Sequence, residues 1–238
     1  MPWKQEDIIR GFNDIATNYD SSNNLMTLGF HRLWRNQLIH SVVASHKHRS
    51  SCKILDLGTG TGDVAISLAK SLPQAHILGV DPSATMLEQA KKKAAHISTT
   101  TASIHWLHAE AANLNIPPHS LDAITMAWVI RNIQNPKETL QRLHNLLLPH
   151  GTIHILESGR PISPFVQLFY PIYSKLFPYI GGLISKRRDF YDYYRRSVDS
   201  FPFHTSFLQI LTEAGFHRPH SRPLWGGVVY LYTAHAQP

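Results

Sequence analysis

Cysteine is nearly absent. Cys52 stands alone among 238 residues, which excludes an internal disulfide and points to a reducing, cytosolic setting. An unbroken apolar run is missing too. The longest apolar stretch, PISPFVQLFYPIYSKLFPYIGGLI (161–184), has the length to span a bilayer, but Pro161, Pro164, Pro171, Pro178 and Lys175 interrupt it. It reads as short helices with one greasy face rather than a membrane span. The opening MPWKQEDIIRGF carries acids and has no apolar core, so no signal peptide is expected in it. Acids are missing in blocks, with none between Asp20 and Asp56 and none after Glu213. The totals, 23 Lys plus Arg against 16 Asp plus Glu, give a net charge of +7. That balance leaves open nucleic acid, an anionic membrane surface, or solubility alone. Histidine is plentiful, yet the pairs His46/His48, His105/His108 and His217/His220 lack cysteine or carboxylate partners at ligand spacing. No metal site is expected.

A hydrophobic content of 43% suits one α/β domain with a full core. Ile8, Ile9, Phe12 and Ile15 recur at helical spacing. NYDSSNN then reads as a polar break, and a second helical segment runs from Leu25 to about Val43. From Lys53 the rhythm becomes strand, loop, helix. KILDL, HILGV, SIHWLH, LDAITMAW and TIHILE read as strands, separated by helical DVAISLAKSL, SATMLEQAKKKAAH with Ser83 as N-cap, and KETLQRLHNLLL, which stops before Pro149. TSFLQILTEAGF and GGVVYLYTAH supply a last helix and a closing strand. The expected fold is α/β: a doubly wound, mostly parallel seven-stranded sheet with N-terminal helices and a helical lid insert. The expected division of the single domain, 1–238, is an N-terminal helical cap (1–50), a core (51–159), the lid insert (160–202) and a final helix with strands (203–238).

The first strand ends in ILDLGTGTGD, residues 54–63. In an open parallel sheet this lip holds the ligand, and Gly58, Gly60 and Gly62 permit close backbone approach. A triphosphate loop needs a lysine behind the glycines, and none is present. A dinucleotide loop needs G-x-G-x-x-G, but Asp63 occupies the third glycine position, where an acid repels phosphate. Asp56 reinforces the expectation of a cationic ligand without phosphate. Asp81, ending the second strand, is placed to accept two ribose hydroxyls. Glu110-Ala111, after the third, is placed to touch an adenine edge. Ribose, adenine, positive charge and no phosphate describe S-adenosyl-L-methionine. The ordered set resembles the class I methyltransferases.

Further stretches narrow the resemblance. YDSSNNLMTLGFHRLW (19–34) is similar to the Y-D-x-x-N-x-x-x-S-x-G-x-H-R-x-W segment of the menaquinone/ubiquinone C-methyltransferases, with Thr27 in place of serine. VIRNIQNP resembles that family's G-L-R-N-V-x-D at Arg131 and Asn132, with Val129 in place of glycine. YDYYRRSV resembles Y-x-Y-L-x-x-S-I at Tyr191, Tyr193 and Ser197. The resemblance implies C-methylation of a polyprenyl quinol, demethylmenaquinol to menaquinol. It implies a donor site of Asp56, Gly58, Gly60, Thr61, Gly62, Asp81, Glu110, Ala111, Ala127 and Tyr19. On the acceptor side it implies Arg131 stabilising a quinol oxyanion, Asn132 beside it, and His31 as a candidate base. Glu110 and Ala127 depart from the residues usual in the family, and Trp128 and Val129 replace smaller ones, which predicts a tighter ring pocket.

The lid's Phe165, Leu168, Phe169, Tyr173, Leu176 and Phe177, beside Lys186, Arg187 and Arg188, suggest a prenyl tail and peripheral membrane association from the cytoplasm. A homodimer is a further expected partner. The alternatives are a ubiquinone-type benzoquinol, another small molecule, and RNA. The last is disfavoured. Cys52 precedes the first strand, whereas a 5-methylcytosine enzyme needs cysteine near the fourth. AWVIRN stands where amino-methylating enzymes show [ND]-P-P-[YF], and the NIPP at 115–118 lies before the fourth strand. A non-catalytic module is disfavoured by the intact glycines and acids.

Overall fold

A computed structural model describes residues 3–49, 51–96, 102–185 and 187–237, without the side chains of 173, 177, 178, 181 and 183–185. The sheet order is β3-β2-β1-β4-β5-β7-β6. Its strands are β1 Cys52–Leu57, β2 Ala75–Asp81, β3 Ser103–His108, β4 Leu121–Ala127, β5 Leu147–Ser158, β6 His217–Leu224 and β7 Val229–His235. The first five are parallel, and β7 runs antiparallel between β5 and β6. The chain reverses direction across the sheet between β1 and β4, so the loops after these strands share one lip, where such folds bind ligands.

The apolar strands β1, β4 and β5 are buried almost throughout because helices cover both faces. On one face, Leu38 and Val42 of α3 (Phe30–His46) and Ala65 and Leu68 of α4 (Asp63–Ser71) pack on Ile54 and Ile77. On the other, Leu140 and Leu143 of α6 (Pro136–Leu146) and Phe207 and Leu211 of α9 (Thr205–Glu213) pack on Ile153 and Tyr232. A third cluster roofs the lip. Ile15 follows from α1 (Gln5–Ile15), Met26 from α2 (Tyr19–Met26), Met86 from α5 (Ala84–Ala95), and Phe190 and Tyr191 from α8 (Arg188–Ser200). Ser83 caps α5 by accepting the Met86 amide.

Four local expectations change. NYDSSNN is not a break: Tyr19–Met26 is helical, because Asp20 is fixed by the Thr61 hydroxyl at 2.9 Å and the Lys93 ammonium at 2.5 Å. The polar face of α2 is thus turned to the core domain's charges. β5 begins at Leu147 and carries Pro149 to Gly151 through a register shift against β4, where the sequence suggests a stop. β6, HRPHSRPL, lacks apolar alternation because it is an edge strand with mostly exposed side chains. The lid is one 22-residue helix, α7 (Pro164–Ser185), rather than short pieces. Pro171 sits on its exposed side, so the amide it lacks falls where water, not the core, meets the backbone. Among the described residues no helix is long and apolar enough to cross a membrane.

Candidate active site

The three glycines of the first loop do different work. A Cβ on Gly58 would meet Val129, and one on Gly62 would lie 2.8 Å from Trp106 and 2.9 Å from Ala90. Both are closed by the protein's own side chains. At Gly60 nothing lies within 4 Å; this residue alone of the three presents bare backbone to open space. Gly60 and Gly62 share the strain of a positive φ, but Gly62→Ala adds overpacking worth roughly 1–3 kcal/mol and should therefore cost more stability. Gly60→Ala should act mainly on donor affinity. Melting curves and donor titrations of both variants check this; a larger melting loss in Gly60→Ala than in Gly62→Ala would reverse the assignment.

The acids around the loop also divide. Asp56 is buried and accepts from the Thr59 hydroxyl at 2.6 Å and the Thr125 hydroxyl at 2.8 Å; burial raises its carboxyl to about 6. It braces the loop and lines neither of the site's two cavities. Asp63 is bound by Arg35 at 2.8 Å and Lys93 at 2.9 Å. Burial raises its pKa, but these cations outweigh that and leave it below the usual carboxylate range. Its charge is neutralised within the protein, so the expectation that it selects a cationic ligand does not hold. Thr61 donates to Asp20 and, with Gly62, belongs to the scaffold. Asp81 is different. Its Oδ2 accepts from the Gly60 amide and its Oδ1 from the Ser83 amide, each at 2.8 Å. It also lines the cavity. A carboxylate has about four acceptor positions, so two remain for hydroxyls. Burial raises this carboxyl to about 6.

A cavity of about 320 Å³ opens here, lined by Gly58, Gly60, Asp81, Glu110, Ala111, Ala127, Tyr19 and Asn132. Eight of the sequence-derived residues thus come together. Ile8, Ile9 and Phe12 of α1 close its top, a contribution the sequence marks only as an amphipathic stripe. The exposed backbone of Gly60 and the free acceptor positions of Asp81 fit a nucleoside with its ribose at the end of β2.

A second, narrower cavity of about 90 Å³ adjoins the first and shares Phe12, Tyr19 and Trp128 with it. Its walls include Trp34, Tyr170, Tyr191, Tyr194, His31 and Arg131. Trp128 holds a positive φ of 60°, a strained conformation for a bulky residue of the kind found at working sites. Its backbone amide donates to Leu156. Tyr19 is partly buried, and desolvation in the cavity wall pushes its hydroxyl up to about 12, so it stays protonated. Asn132 accepts from the Tyr193 hydroxyl at 3.0 Å, which ties the loop after β4 to α8.

His31 and Arg131 are not equivalent in this cavity. The Thr27 hydroxyl donates to the Asn23 carbonyl at 2.6 Å and also lies 2.7 Å from His31 Nδ1. A hydroxyl has one proton, so Nδ1 carries the hydrogen and Nε2 is left as an acceptor. Burial, with Arg35 and Arg32 nearby, lowers the imidazole to about 4. His31 is therefore held neutral at the acceptor cavity, with Nε2 as its open acceptor. The Arg131 side chain is 2% exposed and pairs with Glu157, 0% exposed, at 2.5 Å; its guanidinium lies 4.4 Å from the centroid of the Tyr194 ring. Burial raises the Glu157 carboxyl above its usual range despite the cation beside it. Sequence reading missed Glu157. Its signal is an acid ending the apolar strand TIHIL, whose buried neighbours leave it no solvent.

Residues 1–236 match the ubiE/COQ5 methyltransferase family. A ubiquinone/menaquinone biosynthesis C-methyltransferase from Syntrophotalea carbinolica is 36% identical over 223 residues, 93% of this chain and 91% of that one. One of the same name from Rickettsia africae is 32% identical over 231 residues, 95% and 91% of the two chains. Among solved structures, an S-adenosylmethionine-dependent methyltransferase from Thermotoga maritima superposes with a TM-score of 0.63 at 16% identity, covering 96% of this chain and 99% of that one. The phosphoethanolamine N-methyltransferase 2 of Haemonchus contortus, holding S-adenosylhomocysteine, gives 0.61 at 14% identity over 85% and 53%. These two likenesses establish the fold.

Proposed function

Since the chain belongs to the ubiE/COQ5 methyltransferase family and is an S-adenosylmethionine-dependent methyltransferase, we propose that it methylates a ring carbon of a polyprenyl quinol, converting demethylmenaquinol to menaquinol. The observation that carries this reading is the aromatic cavity beside the donor cavity, with Arg131 in its wall. Trp34, Trp128, Tyr170 and Tyr191 line it, an aromatic wall suited to a fused bicyclic ring. The curated relatives' names join both quinone pathways, so the competing substrate is a ubiquinone-type benzoquinol. Initial rates with short-tailed forms of both quinols decide. Preference for the naphthoquinol supports the reading, and preference for the benzoquinol refutes it.

S-adenosylmethionine, when bound, supplies an electrophilic methyl group that is displaced in line. The residues supply position and charge. Gly60 and Asp81 hold the nucleoside against the sheet lip, with Glu110 and Ala111 beside the base. Tyr19 and Trp128 stand between donor and acceptor cavities and align the two reactants, an effect worth many kcal/mol when geometry is right. Nε2 of His31 accepts a hydrogen bond from one quinol hydroxyl. Arg131 stabilises oxyanion character at another, where a charged donor in a dry site acts strongly.

The protein works in the cytoplasm and docks on the membrane surface to reach a lipid substrate. Among the described residues, the strongly exposed large apolar side chains other than Leu107 lie on or beside α2, α3, α7 and the Trp225 turn, around the acceptor cavity. Phe165 is 73% and Leu168 70% exposed. The segments that form this face, 21–55, 158–188 and 214–238, contain no acid, which complements anionic headgroups. The basic cluster beside it is partly engaged. Arg187 pairs with Asp14 and Asp189, and Arg188 lies over Tyr179. Lys186 and the side chains of Tyr173 and Phe177 lie outside the described residues.

Purified protein should bind phosphatidylglycerol vesicles at low salt and release as salt passes the level where the Debye length falls to ~8 Å. A Phe165→Asp/Leu168→Asp variant should bind less. Equal, negligible binding to anionic and neutral vesicles at low salt would reject the docking. A homodimer through the same face is the alternative, and light scattering separates it.

A further inference from the structure

The quinol hydroxyl proton needs a destination; taking it would make His31 a new cation beside Arg35 and Arg32, whereas a carboxylate that takes it loses charge. Resting on the proposed quinol acceptor, we infer that Glu157 takes that proton and, by losing its charge, releases Arg131 to face the oxyanion. Glu157 is the penultimate residue of β5, behind the cavity wall. Ser158, the next residue, lines the acceptor cavity, and its amide donates to Glu157 Oε1 at 2.7 Å. Arg131 lines the same cavity and donates to the same Oε1 at 2.5 Å. Among the described residues, Glu157 Oε2 and Arg131 Nε are buried without a hydrogen-bond partner. The Arg131 backbone amide also faces this carboxylate, yet Oε2 makes no full hydrogen bond, which is costly for a buried acceptor and leaves it open to a proton. Glu157 itself lines neither cavity and is reached through Arg131 and Ser158; the carboxylate in the acceptor cavity's wall, Asp199, is exposed and pairs with Arg195.

The charges balance. At rest the buried pair is Arg131⁺/Glu157⁻. The quinol O–H bond breaks, its electron pair stays on oxygen, and the proton reaches Glu157 through one intervening hydroxyl or water. The buried pair is then Arg131⁺/quinolate⁻, so no net charge is created in the low-dielectric site. The ring carbon bonds to the methyl as the methyl–sulfur bond breaks and its electron pair stays on sulfur, the hydrogen on that carbon leaves to solvent as a proton, and the proton on Glu157 returns to oxygen. Methylated quinol and one net proton are released. Burial, which raises the Glu157 carboxyl, narrows its gap to a phenol-like hydroxyl near pKa ~10. The titratable groups facing Glu157 are Arg131, Tyr193 of α8 and Tyr232 of β7. Tyr193 and Tyr232 are both raised by burial and stay protonated through the range below.

The test is the pH dependence of Glu157→Gln against wild type, from pH 6.5 to 9.5, with labelled methyl donor and short-tailed demethylmenaquinol. Near pH 7 the variant should be ~100-fold slower. The deficit should shrink about tenfold per pH unit as the quinol ionises unaided, since a pre-formed quinolate needs no base. Donor affinity, measured with S-adenosylhomocysteine, should match wild type. A variant within threefold of wild type near pH 7 overturns the assignment, as does a deficit that is constant across pH, the mark of a structural role. If Glu157→Gln does not fold, Glu157→Asp decides by the same criterion, a smaller deficit that narrows with pH against one that does not. Failure of wild type itself to methylate the quinol falls on the substrate reading instead.

Discussion

In Arg131→Lys, turnover should fall by ~10²-fold while donor affinity stays within a few-fold of wild type. Loss of a preorganised oxyanion donor typically costs ~10²–10³ in rate. Lysine keeps the charge for Glu157 but loses the planar fork that serves two partners at once. The effect should appear in turnover more than in binding, because the oxyanion develops with the reaction. Lysine is the informative substitution because of the buried pair at 2.5 Å. Arg131→Ala would strand Glu157 as an unpaired buried charge and cost ~3–5 kcal/mol of stability, roughly a 10 °C loss in melting temperature for a chain of this size. Turnover, melting temperature and donor affinity measured on one preparation separate these. Near-normal turnover in Arg131→Lys would limit Arg131 to a supply of charge, and a rate loss that tracks melting would make it structural.

The second large effect is on the donor. Asp81→Ala should weaken S-adenosylmethionine binding tenfold or more, from ~1.5–3 kcal/mol per hydrogen bond to a charged acceptor. The carboxyl sits at about 6 because burial raises it, and this fixes the sign of the pH dependence. Below pH 6 Asp81 gains a proton, loses its charge and binds ribose hydroxyls less well. Donor affinity should thus fall between pH 7 and 5 and be flat above pH 7. Asp56 titrates in the same range but braces the loop from behind. Calorimetric titrations of the Asp81→Ala variant tell them apart: the acid-side fall should disappear. Wild-type affinity in the variant would remove Asp81 from the site.

The core was legible because each buried strand is a short apolar run between turn signals, and because helices of matching length alternate with them. The lip was legible for a related reason: a loop that turns sharply at the end of a buried strand tolerates few residue types. What the sequence could not convey was direction. Gly58, Gly60 and Gly62 look alike in ILDLGTGTGD, yet two of them accommodate Val129 and Trp106 and one faces open space. Asp63 reads as a charge offered to a ligand until Arg35 and Lys93, distant in the chain, are placed against it. Arg131 carried a motif signal, but its partner Glu157 lies 26 residues away on β5, and an acid near the end of an apolar strand does not say which cation it will meet. β6 escaped notice because an edge strand with exposed side chains has no hydrophobic rhythm to read. α7 was misjudged because proline weakens a helix without always ending it, and packing along one side sustains the rest.

The most direct measurement is the fate of the methyl group. Purified protein would be given methyl-labelled S-adenosylmethionine with a total lipid extract from cells blocked in quinone methylation, and in parallel with bulk RNA. Label should enter the lipid fraction and reside, by fragmentation in the mass spectrometer, on a naphthoquinol ring carbon. Label recovered in RNA, or on an oxygen of the quinol rather than carbon, would contradict it.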